Sequence, residues 1–138
     1  MLRLSLFFVA GFLAVLCFHQ PVLGLLHGYA VVPFAPFNTA ATVPFGVPAW
    51  LSAAFWGGIW GVLMLSLLRW HAGQPQPWLK GLLFGGIALT SVALLVVFPL
   101  KGMGFDPSQL PGRFLIGFLL NAAWGVGTLI FARTLLSR

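Results

Sequence analysis

Residues 81–100 read GLLFGGIALTSVALLVVFPL, twenty positions without one charged side chain. At about 1.5 Å of rise per residue, a helix of that length spans about 30 Å, the thickness of a bilayer's hydrocarbon core. The run does not alternate between polar and apolar residues, and it far exceeds the ~10 residues of a membrane barrel strand. A backbone in lipid must pair its N–H and C=O groups internally, so the stretch reads as a transmembrane helix.

The same composition extends to both sides. Residues 114–132 form a second uncharged run, and no Lys, Arg, Asp or Glu lies between Arg3 and Arg69. Across the chain 60% of residues are hydrophobic and 6% charged, against about a quarter charged in a soluble domain. So few charges cannot cover a water-facing surface, which excludes a soluble globular fold. Pro33, Pro36, Pro44 and Pro48 prevent regular helix over 33–48. A polar turn follows at 69–78, and a loop rich in Gly and Pro at 101–111. These divisions predict an all-α fold, a single-domain integral membrane bundle of four transmembrane helices over residues 1–138. The helices are expected at 4–32, 49–70, 78–100 and 111–136. Pro21 predicts a kink in the first, and Pro111 suits a first helical position, where no N–H donor is needed. The uncharged proline segment carries Phe34, Phe37 and Phe45, and reads as a loop on the membrane surface or against a neighbouring protein.

Arg3 followed by residues 4–18 also has the charge and apolar core of a secretory signal, with Val22-Leu23-Gly24 as a cleavage site. The apolar character continues through residues 23–32, which favours an uncleaved first helix.

The net charge is +6. With the N-terminus inside, the inner side collects Arg3, Arg69, Lys80, Arg133 and Arg138, and the outer side Lys101 and Arg113. The excess of inner cations predicts cytoplasmic N- and C-termini in a multi-pass protein of the bacterial inner membrane. Trp70 and Trp78 read as interfacial anchors at the inner turn, with Trp50 and Tyr29 on the far side. Cations at the ends of spans fix topology, so no nucleic acid partner is expected.

Small residues recur four apart in every helix: Gly24 and Gly28, Gly57 and Gly61, Gly81 and Gly85, then Gly117, Asn121 and Gly125. That spacing gives each helix a face on which backbones approach closely. Packing within one bundle is the favoured reading, self-association the alternative. Trp60-Gly61-Val62 lies nine residues before Arg69, and Trp124-Gly125-Val126 nine before Arg133, as a duplicated two-helix hairpin would leave them. Counted by helical rise, His19, Gln20, Thr90, Ser91 and Asn121 fall near the membrane midplane. They are a candidate polar site for a small molecule, ion or proton; the competing reading makes them interhelical hydrogen bonds.

His19, His27, His71 and Cys17 make no ligand cluster, so neither a metal nor a cofactor is expected. Asp106, the only acid, sits beside Pro107 and reads as a turn residue. General acid–base catalysis and proton-coupled transport both lack a carboxylate in the spans, and an enzyme is the least favoured class. The expectation is a non-enzymatic membrane protein that works through helix packing, as an accessory or assembly subunit of a membrane complex or as a homo-oligomer. Its partners are then the lipid bilayer and other membrane protein subunits or itself. The alternative is a small channel or transporter subunit built on the midplane polar residues.

Overall fold

The computed structural model describes residues 1–104 and 106–137; Phe105 and Arg138, the last of the expected inner-side cations, lie outside the described residues. Four helices are long and apolar enough to cross a membrane: α1, Leu2–Gly28; α2, Ala49–Leu67; α3, Trp78–Leu100; and α4, Pro107–Leu136. The chain is a multi-pass membrane protein built mostly of helix. α2 packs on α1, α3 packs on α4, and α1 and α4 pack on each other at the centre. α2 and α3 meet through side chains, with the rings of Trp60 and Phe84 6.3 Å apart.

Helix ends follow from capping chemistry. α1 stops at Gly28, short of residue 32, because Ala30 takes a left-handed conformation (φ 57°). Val31 N–H then donates to the Leu26 carbonyl, and Ala30 N–H to that of His27, both at 2.9 Å. This paired pattern is the Schellman cap. α2 stops at Leu67, short of residue 70, in the same way: Arg69 has φ 47°, and Trp70 N–H reaches the Leu65 carbonyl at 2.9 Å. Glycine usually fills such a position, and a side chain there costs roughly 1–2 kcal/mol. Burial of Trp70 offsets that cost. It is 1% exposed and meets Phe7 edge-on at 6.2 Å, so it belongs to the core and not to an interfacial belt. α4 begins at Pro107, earlier than residue 111. The Asp106 carboxylate accepts from Ser108 N–H at 2.9 Å and from Ser108 Oγ at 2.7 Å, so Asp106 is a helix cap.

Pro21 is preceded by a π turn over Val15–His19, in which Gln20 N–H reaches the Val15 carbonyl. The widened turn falls beside a proline that cannot donate to the helical ladder. α3 has π turns at Phe84–Leu89 and Ala93–Val97, the second just ahead of Pro99.

At about 1.5 Å per residue, α1 is about 40 Å long and α2 about 28 Å. Arg3 donates to the Trp70 carbonyl, so these helices are level at that end and α1 projects beyond α2 at the other. Residues 29–48 fold back over the difference. They contain a short antiparallel hairpin, β1 (Ala41–Thr42) and β2 (Val47–Pro48), with Ala41 opposite Pro48 and Thr42 opposite Val47. Gly46, at φ 68°, closes its turn by donating to Thr42 O at 2.7 Å. Val32 is buried beside Leu23 and Leu120, which ties the start of the segment to α1 and α4.

Two interhelical crossings repeat one arrangement. In α1–α2, the Phe8 ring covers Gly58, where a Cβ would come 2.5 Å from it, and Gly57 lies against the Gly11 carbonyl and Val15. In α3–α4, the Phe118 ring covers Gly86 at the same 2.5 Å, and Gly85 lies against the Asn121 carbonyl and Gly125. The correspondence relates α1 to α4 and α2 to α3. A duplicated hairpin would relate α2 to α4.

Candidate functional site

The α1–α2 crossing is one of two places where helix backbones approach closely, the other being α3–α4. A Cβ on Gly61 would come 2.8 Å from Gly11 Cα and 2.9 Å from Phe7 O, so backbone meets backbone. Trp124 of α4, 1% exposed, enters this crossing and donates its indole N–H to Gly11 O at 3.0 Å. Gly11 O already accepts from Val15 N–H, so both lone pairs of that carbonyl are used. The indole bond thereby joins α1 to α4 at a carbonyl against which Gly57 of α2 packs.

The remaining small residues divide by place. Gly81 faces Leu129 and the Gly125 carbonyl, Gly125 faces the Gly81 carbonyl, and Gly117 faces Thr90. Gly24 faces Pro36 of the folded-back segment at 3.3 Å, and Gly28 has open space. Gly11, Gly58, Gly86 and Gly127 also pack against a neighbour and were not singled out from the sequence. The adjacent pairs Gly57-Gly58 and Gly85-Gly86 were the available signal: one glycine receives the partner's backbone, the next its phenylalanine.

The five candidate polar residues do not meet in one place. Asn121 Nδ2 donates to Thr90 Oγ1 at 3.0 Å, joining α4 to α3. Gln20 is buried and its Oε1 accepts from Phe37 N–H at 2.7 Å, so it holds the folded-back segment and not another helix. Ser91 lines a groove of about 520 Å³ with Leu94, Leu95, Pro111 and Phe114. His19 stands apart, in the π turn of α1. Its Nδ1 is buried and has no hydrogen-bond partner among the described residues. His27, nearer the end of α1, has Nδ1 3.1 Å from the Val32 carbonyl, to which its Nδ1–H form donates.

Among the described residues, no group of three or more His, Cys, Asp or Glu side chains could hold a metal ion. Asp106 is fully exposed. Its hydrogen bonds from the Ser108 side chain and backbone, helped by nearby Arg113, hold its pKa below the usual carboxylate range.

The outward face of α2 is aromatic. Phe55 and Trp56 are exposed and lie edge-to-face at 5.9 Å, and Ile59 and Leu63 continue the ridge. Trp56 is 58% exposed near the middle of the helix, and its indole N–H has no acceptor among the described residues. Comparison of the chain with protein families, with curated proteins and with solved structures finds no match.

Proposed function

We infer that the protein is a non-enzymatic membrane component that acts through helix packing, as an accessory or assembly subunit of a larger complex or as a homo-oligomer. The observation that carries this reading is Trp56. Tryptophan is favoured at membrane–water interfaces, where its N–H finds water. Hydrocarbon tails offer no acceptor. An indole exposed halfway along α2 fits a protein neighbour that supplies a carbonyl or hydroxyl, with Phe55, Ile59 and Leu63 as the apolar part of the contact. The internal polar groups agree with it: Thr90, Asn121 and Gln20 spend hydrogen bonds within the chain, as structural links do.

The charge pattern supports cytoplasmic termini in a bacterial inner membrane, since Arg3 and Arg69 share one end of the bundle and Lys101 and Arg113 lie in or beside the last loop, at the other. A second reading, a small channel or transporter subunit, rests on His19 Nδ1 alone, a polar atom without a hydrogen-bond partner among the described residues, and its burial counts toward the packing reading.

The test is purification from the native membrane in a mild detergent, followed by intact-particle mass determination of the wild type and of Trp56→Ala. The expected result is a particle heavier than one chain that loses its partner or its copies in the variant. A monomer in both preparations refutes the packing reading; an intact homo-oligomer that conducts ions moves the balance to His19.

A further inference from the structure

A pocket of about 390 Å³ opens at the end of the bundle where α1 begins and α2 ends. Its rim carries Arg3, Arg69, His71 and Ser66, and its floor is Leu4, Phe7 and Leu65. The only acidic residue of the chain, Asp106, is at the opposite end, capping the start of α4. We propose that this pocket binds the phosphate headgroup of an anionic membrane phospholipid, with an acyl chain lying along the apolar floor.

Cations near a helix C-terminus have an ordinary use, because they complement the roughly half a negative charge of the helix dipole. Arg3 does this: one of its N–H groups donates to the Trp70 carbonyl, and its guanidinium sits 5.2 Å from the Phe7 ring centroid. Those contacts also hold its charge at the pocket in place of extending freely into water. Arg69 and His71 make no side-chain hydrogen bond among the described residues, so their donors remain available. Arg69 is anchored by the left-handed cap of α2, which fixes where its side chain starts. The site thus gathers more positive charge than a helix end requires, with no acidic side chain among the described residues of that end to neutralise it.

Depth and shape select a lipid over a free anion. Arg3 and Arg69 lie at the ends of two helices long and apolar enough to span a membrane, where a bilayer's headgroups begin. The floor is apolar, and Leu4 in it is exposed, as are Leu2 and Leu67, the sequence neighbours of the lining residues Arg3 and Ser66; inorganic phosphate would make no use of such surface. Basic pockets at the ends of membrane helices are a physical match for anionic headgroups. The proposal requires only membrane insertion, not the partner inferred from Trp56.

The experiment is native mass spectrometry of the full-length protein, titrated separately with phosphatidylglycerol, phosphatidylcholine and free glycerol phosphate. Arg69→Gly removes one rim charge while placing the preferred residue at the left-handed cap, so the fold should be retained. Arg133→Gln, near the end of α4 and outside the pocket, is the control. The expected result is tighter retention of phosphatidylglycerol than of phosphatidylcholine, weakened about fivefold by Arg69→Gly and unchanged by Arg133→Gln. Equal retention of the two lipids overturns the proposal. So does an equal loss in both variants, which marks diffuse surface charge, or binding of glycerol phosphate as strong as that of the lipid.

Discussion

The α1–α2 and α3–α4 hairpins both lay a phenylalanine on a glycine, then differ in how they are fastened. At the α3–α4 crossing the link is internal: Asn121 of α4 donates to Thr90 of α3. At the α1–α2 crossing it is external, since the donor to Gly11 O is Trp124 of α4. The α3–α4 crossing therefore carries a polar link of its own, whereas the α1–α2 hairpin has one only at its end, from Arg3 to the Trp70 carbonyl, and its crossing is tied through α1 to Trp124 of α4. Equal closeness of packing does not imply equal independence. α4 serves both hairpins, and α1–α2 should be the part that loosens first.

The largest expected effect concerns what the crossings share. Gly61→Leu and Gly85→Leu each force a side chain into backbone, where neighbours cannot rotate away. Each should exceed the roughly 1–3 kcal/mol of ordinary overpacking and abolish recovery of folded protein from detergent. Recovery of one variant with wild-type thermal stability would show that the two crossings are not equivalent.

An intermediate effect concerns what they do not share. Trp124→Phe keeps an aromatic ring but removes the donor and part of the buried volume; Thr90→Val keeps the shape and removes the acceptor. Interhelical hydrogen bonds in membranes contribute about 0.6 kcal/mol on average and up to about 1.7. Hydrogen exchange should rise in α1 and α2 for Trp124→Phe, and in α3 and α4 for Thr90→Val. A uniform rise across all four helices in either case would mean that the hairpins do not open separately.

The smallest effect is at the start of α4, outside both crossings. Asp106 has a folded-state pKa below its unfolded value, so its capping contribution is present at neutral pH. That contribution is lost as pH falls through the ordinary carboxylate range toward the lowered folded value. Exchange of the Ser108 amide should accelerate over that acid range in the wild type and not in Asp106→Asn, which caps without titrating. A pH-independent Ser108 amide in the wild type would remove the cap's dependence on charge.

The spans were legible because hydropathy over some twenty residues is a property of composition. Their ends were not, and each miss has a local cause. Apolar sequence runs on past Gly28, and nothing in Ala30 or Arg69 announces a left-handed residue where glycine is usual. The start of α4 could have been read: Asp106-Pro107-Ser108-Gln109 carries a capping acid, a proline at the first helical position and a glutamine two residues further on. The polar residues of the candidate site were legible as a set, but their partners were not. Equal counts along separate helices do not bring side chains together when α1 projects past α2, and Gln20 finds its donor in a loop whose course no periodicity predicts.

The π turn at Val15–His19 puts α1 out of phase with itself. One extra residue in a helical turn sets the later side chains back by about 100° relative to an unbroken helix. The stripe that packs through Gly11 and Ala14 is therefore not the stripe that a straight continuation would present at Gln20 and Leu23. Any alignment of this helix with an uninterrupted counterpart has to open a one-residue gap there. A single-residue deletion within the turn would therefore restore an unbroken α-helix with Gln20 still facing the segment it holds, whereas the same deletion elsewhere in α1 would rotate the far half by about 100°.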